Sequence, residues 1–342
     1  MDKKQINREI RKISNSTSLT LLLFIGLMFL MEYGFSYIYK KFIFSSFPDT
    51  EDLFLFIIYI FLYLIIVPLV LFIFYKTRGK KVNLKFKTPF KKSNLSVGWC
   101  IKWIVIAVGF AYIASFISNL IFFIIEQLTG TSLHALNVGA GDSFFGVLTI
   151  LTAVPIFAPI FEELMFRGTL YRNSEPMGQW FAIVVSGLMF GLWHENYAQF
   201  IFAWVVGIFL AFIYARTRSI FPCMIIHFII NSIGTVSMLV SKNLDMEVMQ
   251  SGDTARMTAY LENHMIEYLL TSCVGMAVIG FIIAAIVLFI IELVKYRRVF
   301  YLQKSCFNIS TLKKTLVYFS APATIVLFAY MIFATVYNAL YS

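Results

Sequence analysis

Pro159-Ile160-Phe161-Glu162-Glu163-Leu164-Met165-Phe166-Arg167 lies inside a long apolar run, about Phe144 to Tyr171. The run reads as a membrane helix, yet this stretch puts two carboxylates and a guanidinium within it. Ionisable groups at such depth are expensive, which makes them functional-site candidates by default. Two further apolar runs carry groups that could work with them. One ends in Phe190-Gly191-Leu192-Trp193-His194, and another holds His227-Phe228-Ile229-Ile230-Asn231. The other two of the four histidines, His134 and His264, fall in polar connections. The expectation is that Glu162, Glu163, Arg167, His194, His227 and Asn231 meet in one intramembrane site.

The 342 residues are 60% hydrophobic and 13% charged, with a mean hydropathy of +0.81. A soluble chain of this length cannot hide that much apolar surface, whereas lipid solvates it. The runs are continuous rather than alternating, which argues against a membrane β-barrel. The fold class is all-α, a polytopic transmembrane helix bundle of about nine spans (eight to nine) enclosing the site. The spans are expected at 18–39, 53–75, 98–125, 144–171, 180–197, 198–215, 219–240, 268–293 and 315–340. The segment before His194 is short, and His194-Glu195-Asn196-Tyr197 is too polar for deep lipid. It reads as a tight turn at the outer face or as a helix end buried in protein.

The net charge of +10 is no nucleic-acid signal, because the basic residues sit between the hydrophobic runs. With a cytoplasmic N-terminus, 22 of the 28 Lys and Arg residues fall in connections on the cytoplasmic side. That asymmetry predicts the N-terminus inside and the C-terminus outside. Cys100, Cys223, Cys273 and Cys306 have no spacing of a disulfide framework or metal knuckle. No internal repeat and no separate soluble domain is evident. Residues 1–143 form an N-terminal three-span region, 144–240 hold every candidate site residue, and 241–342 form an external connection and two C-terminal spans.

A helix rises about 1.5 Å per residue, which puts Glu162 roughly 15 Å, His227 roughly 12 Å, Asn231 roughly 18 Å and His194 roughly 21 Å from the inner surface. Similar depths allow one site. Glu163 and Arg167 are four apart and can pair, as are His227 and Asn231 on their own helix. Pro155 and Pro159 remove backbone donors and should loosen the helix beside the carboxylates. Gly168, Gly187 and Gly191 should let helices approach closely.

Hydrolysis of a peptide bond suits this set. Glu162 would take the proton of a water that His194 orients, and His227 with Asn231 would stabilise the oxyanion. Arg167 would hold Glu163 ionised and fix the helix. The same residues admit a second account, in which Glu162, His194 and His227 hold Zn²⁺ with a position left for water. His-Glu-x-x-His is absent, since Ala198 stands where its second histidine would be. Metal-free hydrolysis with no cofactor is the favoured account, and zinc stays open.

Glu-Glu-x-x-x-Arg at 162–167, Phe-x-x-x-His at 190–194 and His-x-x-x-Asn at 227–231, in this order on successive hydrophobic segments, resemble the CAAX protease and bacteriocin-processing (CPBP, Abi) family of intramembrane endopeptidases. The resemblance covers about residues 144–240. It implies an all-helical fold with the site enclosed between central spans. It also implies water activation by Glu162 and His194, and oxyanion stabilisation by His227 and Asn231. Members are described both as metalloproteases and as glutamate proteases. Eukaryotic members cut prenylated CAAX tails. The Phe-, Ile- and Lys-rich composition here is that of an AT-rich bacterium, where such substrates are not expected. Bacterial relatives are associated with peptide or bacteriocin maturation, immunity and membrane-protein regulation. The expected substrate is thus a small peptide precursor or membrane protein at the bacterial cell membrane, with the N-terminal region selecting substrate or partner.

Two other classes compete. A non-proteolytic scaffold of the same fold would bind a sensor kinase or peptide exporter. A transporter would use the buried Glu and His as a proton relay, and should show a repeat of its spans. Substitution of Glu162 separates these classes from a protease.

Overall fold

The computed structural model describes residues 1–43, 50–131, 143–242, 244–245, 248 and 252–341, with backbone alone at 42 and 43. His134 lies outside the described residues. Among the described residues, eight helices are long and apolar enough to cross a membrane: α1 (Lys3–Lys41), α2 (Glu51–Gly79), α3 (Val97–Thr129), α4 (Phe144–Met177), α6 (Tyr197–Thr217), α7 (Phe221–Ser241), α9 (Met265–Lys295) and α11 (Pro322–Tyr341). Between α4 and α6 stands a shorter apolar helix, α5 (Gln179–Trp193). Two further short helices are α8 (Thr254–Asn263) and α10 (Thr311–Phe319). The protein is a multi-pass, all-helical membrane protein, as its composition predicts.

Several boundaries differ from the expected spans for local reasons. Helix α1 starts at Lys3 rather than Ser18, because Asp2 and Gln5 form a capping box ahead of it. Its polar first half is not a free tail, since Ile6, Ile10 and Ile13 are buried. The segment expected at 315–340 is broken. Helix α10 ends at Phe319 and α11 starts at Pro322, where a proline suits a helix start and cannot continue a helix. The segment expected at 180–197 is the 15-residue α5, about 22 Å long at the helical rise. It stops at Trp193, and Asn196 then caps α6 by accepting from the Ala198 N–H.

Contacts between connections define the two ends of the bundle. At one end Ile220 N–H donates to Pro89 O, Asn94 N–H to Thr217 O, and Gln179 N–H to Gln303 O. Asn173 binds α1 through Ile13 O, Ser16 Oγ and Thr17 Oγ1 at 3.0–3.1 Å. Arg172, buried, donates to Tyr75 Oη, Lys85 O and Gly168 O. At the other end Ser143 Oγ donates to Asp52 Oδ2, and Asn338 Nδ2 to the Glu195 carbonyl. The short helix α5 thus climbs from the first end to a turn at His194–Asn196, and α6 descends beside it.

Helices α5 and α6 pack with almost no side chain between them. A Cβ on Gly187 would lie 2.9 Å from Ile208 N, and one on Gly207 would lie 2.8 Å from Gly187 Cα. Gly187 and Gly191 serve the close approach expected of them, and Gly207 shares it. A Cβ on Gly168 would meet nothing nearer than 3.8 Å, so that glycine is not required for packing.

Candidate active site

Helix α4 carries the carboxylates between two wide turns, at Ala153–Phe157 and Phe166–Tyr171. The first wide turn holds Pro155 and runs up to Pro159, where the sequence predicts loosening. In its register the Ala158 N–H bonds the Ala153 carbonyl, five residues back. The next partner in that register would join Val154 O to residue 159, a proline with no N–H. Asn231 Nδ2 fills the vacancy, donating to Val154 O at 2.8 Å. The second wide turn frees the Gly168 carbonyl to accept from Tyr75 Oη (2.7 Å) and Arg172. Wide turns of this kind are frequent at functional sites.

The adjacent glutamates have opposite surroundings. Glu163 and Arg167 are both fully buried and paired at 2.7 Å (Oε1 to Nη1), and Arg167 Nη2 donates to the Gly207 carbonyl at 3.0 Å. Glu163 Oε1 also accepts from His227 Nδ1 at 3.0 Å. A carboxylate only accepts, so Nδ1 carries the proton and His227 Nε2 is left as the lone pair. That Nε2 stands 3.9 Å from Glu162 Oε2. Glu162 has no such partners. Its Oε2 is buried without a hydrogen bond among the described residues, while its side chain keeps 13% exposure.

The residual exposure of Glu162 opens onto a cavity of about 340 Å³ that His194 also lines, together with Glu195, Tyr63 and Trp193. His194 Nδ1 donates to Phe190 O at 2.8 Å, which by the same logic leaves its Nε2 as an acceptor. Phe190 holds both histidines edge-on, with centroids at 5.0 Å from His194 and 5.5 Å from His227, and presents its face to Arg167 at 4.5 Å. A cation over an aromatic face is attracted by the ring quadrupole.

Five of the six candidate residues are therefore gathered: Glu162, Glu163, Arg167, His194 and His227. Asn231 lies one turn beyond His227, with one of its two amide protons given to Val154 O. Three contributors escape a reading of the sequence. Gly207 supplies a carbonyl and Tyr63 a cavity wall, and neither is marked by its neighbours along the chain. Glu195 carries a signal, since it follows His194 and has nowhere apolar to go. Its backbone adopts φ +48°, a conformation uncommon outside glycine. It is held there by Tyr330 Oη donating to Oε2 (3.2 Å) and by Asn338 donating to its carbonyl (2.9 Å).

Among the described residues, no three His, Cys, Asp or Glu side chains are grouped so as to hold a metal ion. What the geometry can do is polarise a water at Glu162, with His194 Nε2 as a second acceptor.

Residues 144–233 match the family described as type II CAAX prenyl endopeptidase Rce1-like. YdiL of Bacillus subtilis (strain 168), whose name assigns it as a membrane peptidase, is 28% identical over 157 residues. That match covers 43% of this chain and 58% of YdiL, so the likeness spans little more than half of the relative. No solved structure matches.

Proposed function

We propose, from the premise that residues 144–233 are a core of the CAAX protease and bacteriocin-processing family, that this chain hydrolyses a peptide bond of a membrane-associated polypeptide. The observation that carries the reading is the asymmetry of the glutamate pair. Glu163 is occupied by Arg167 and His227, whereas Glu162 is unpartnered at a cavity. A general base must be free to take a proton, and only Glu162 is.

In the reaction, water in the cavity gives one hydrogen bond to Glu162 and one to His194 Nε2. Glu162 takes the proton as the oxygen attacks the scissile carbonyl. The oxyanion accepts from the second amide proton of Asn231, and from His227 Nε2 when that ring carries both protons. Collapse breaks the C–N bond, and protonated Glu162 returns its proton to the departing amine. Arg167 and Phe190 position Glu163 and the two rings and touch no reacting atom. No step is routed through a metal. The basic end of the bundle faces the cytoplasm in this reading, which puts the N-terminus inside and the C-terminus outside. The substrate is a peptide precursor or small membrane protein of a bacterial cell.

The test compares a deletion strain carrying the intact chain, Glu162→Ala or His194→Ala, with membrane and secreted peptides read by mass spectrometry. A product made only by the intact chain is expected. Equal products from all three forms would overturn the mechanism and favour a scaffold. Once a substrate is in hand, cleavage by purified protein should persist after exhaustive chelation. Loss that Zn²⁺ alone restores would move the reaction to a metal.

A further inference from the structure

Helix α1 packs on α10 and α11 and also on α2, and cavities lie between α1 and α2. The site cavity is one of these, walled by Phe24, Ile25 and Met28 of α1 and by Tyr59, Leu62, Tyr63 and Val67 of α2. A second cavity of about 700 Å³ lies between the same helices toward the basic end, lined by Leu19 and Leu23 of α1 and by Val70, Ile73 and Phe74 of α2. Leu23 adjoins Phe24, and Val70 is one turn from Val67, so the two cavities follow one another along the same pair of helices, with no lining residue in common and the buried Phe24, Val67 and Val70 between them. The mouth of the second carries Lys12, Arg78 and Lys81 against a single carboxylate, Glu9. Lys12 bridges Glu9 at 2.5 Å and Arg78 Nε donates to Asn173 Oδ1, so one carboxylate faces three cations and the mouth stays positively charged.

We propose that the groove between α1 and α2 receives the substrate as an extended segment, apolar where it lies between the two helices and acidic where it reaches Lys12, Arg78 and Lys81. The inference rests on the hydrolase reading and names the class of polypeptide the site takes. Its walls suit a peptide better than a lipid tail. Thr20 and Thr77 each donate their hydroxyl proton back to their own helix, to Ser16 O and Ile73 O at 2.7 Å. Their oxygens can then only accept, and a peptide has N–H groups to give whereas an acyl chain has none. Length gives a register. Lys12 and Ile25 are thirteen residues apart on α1, about 20 Å along a helix. An extended chain covers that distance in about six residues. The acidic group therefore sits about six residues from the bond that is cut.

The test uses two synthetic probes. Each has about six apolar residues, ending in a run of aspartates in one and a run of lysines in the other. Each is made with the charge at either chain end. Binding is read on the Glu162→Gln protein in phosphatidylcholine nanodiscs, where no turnover is needed. The aspartate probe is expected to bind about tenfold more tightly than the lysine probe, and Lys12→Glu with Lys81→Glu is expected to reverse the order. Lys12→Ala with Lys81→Ala should abolish the difference, a control for folding because both lysines are exposed. Equal binding of the two probes would overturn the proposal. So would displacement of the aspartate probe by phosphatidylglycerol at ordinary bilayer content, which would make the groove a lipid site. Cleavage is read separately on the intact chain with a peptide library. Cuts lacking an acidic residue at the predicted distance would sink the inference while leaving the hydrolase intact. Charge-selective binding without any cut would sink the hydrolase reading instead.

Discussion

Glu162 and Glu163 are chemically identical neighbours, and their surroundings give them different work. Replacing Glu163 by Gln leaves Arg167 buried and without its counter-ion, at a cost of about 3–5 kcal/mol. Replacing Glu162 by Gln breaks no hydrogen bond and removes only the 3.9 Å contact with His227 Nε2. The expected outcome in detergent is a lowered melting temperature for Glu163→Gln and a melting temperature near that of the intact chain for Glu162→Gln. Turnover should fall in both, by about 10²–10⁴-fold for Glu162→Gln as expected for removal of a general base. Equal melting losses would mean that Glu162 has a structural partner and would remove the basis for its assignment. The identity of both residues as site candidates is legible in sequence, because charges inside an apolar run are rare. Which of them is free is not. That depends on His227, sixty-four positions away, and on a carbonyl of Gly207, which lies in an apolar stretch of its helix.

At the scale of the element, α4 works because a donor missing from its backbone is replaced from α7. Pro159 cannot supply an N–H to Val154 O, and Asn231 does so. Asn231→Ala should cost about 1 kcal/mol, the loss of a hydrogen bond to a part-buried acceptor. Pro159→Ala restores an N–H at the position where it is missing, so the double variant should lose less than Asn231→Ala alone. A thermal double-mutant cycle measures this coupling, and strictly additive losses would refute it. The prolines announce a weak turn in sequence, and the Asn four residues after His227 announces a polar contact. Their being the same contact is a matter of register between two helices, which no single-helix pattern contains. Helix ends are misread where an apolar run continues across a break, as at Pro322, which starts a new helix inside one expected span. They are also misread where a polar segment packs as well as an apolar one, as in the first half of α1.

Across the whole molecule, the last helix reaches back to the site. Tyr330 and Asn338 of α11 clamp Glu195, and Glu195 is bonded directly to His194. Asn338→Ala touches no reacting atom. It should lower kcat more than it raises KM, because a looser turn misplaces His194 Nε2 without closing the cavity to substrate. Asn338→Asp, which cannot donate, should behave like the alanine variant, and Asn338→Gln should recover part of the rate. A pure change in KM would show that the clamp shapes binding rather than geometry. Residues 322–341 fall outside residues 144–233, the stretch that the family model matches, so nothing in the motifs points to this dependence.

The wide turns of α4 also have an arithmetic. A turn of this kind holds one residue more than an α-helical turn, so removing one residue there lets it tighten while the faces on either side stay in phase. The same deletion elsewhere in α4 swings everything beyond it by about 100° around the axis and would trade the places of Glu162 and its neighbours. Tolerance to a change in chain length is thus lodged on either side of the chemistry, in the two turns of the helix where a miscount can be absorbed.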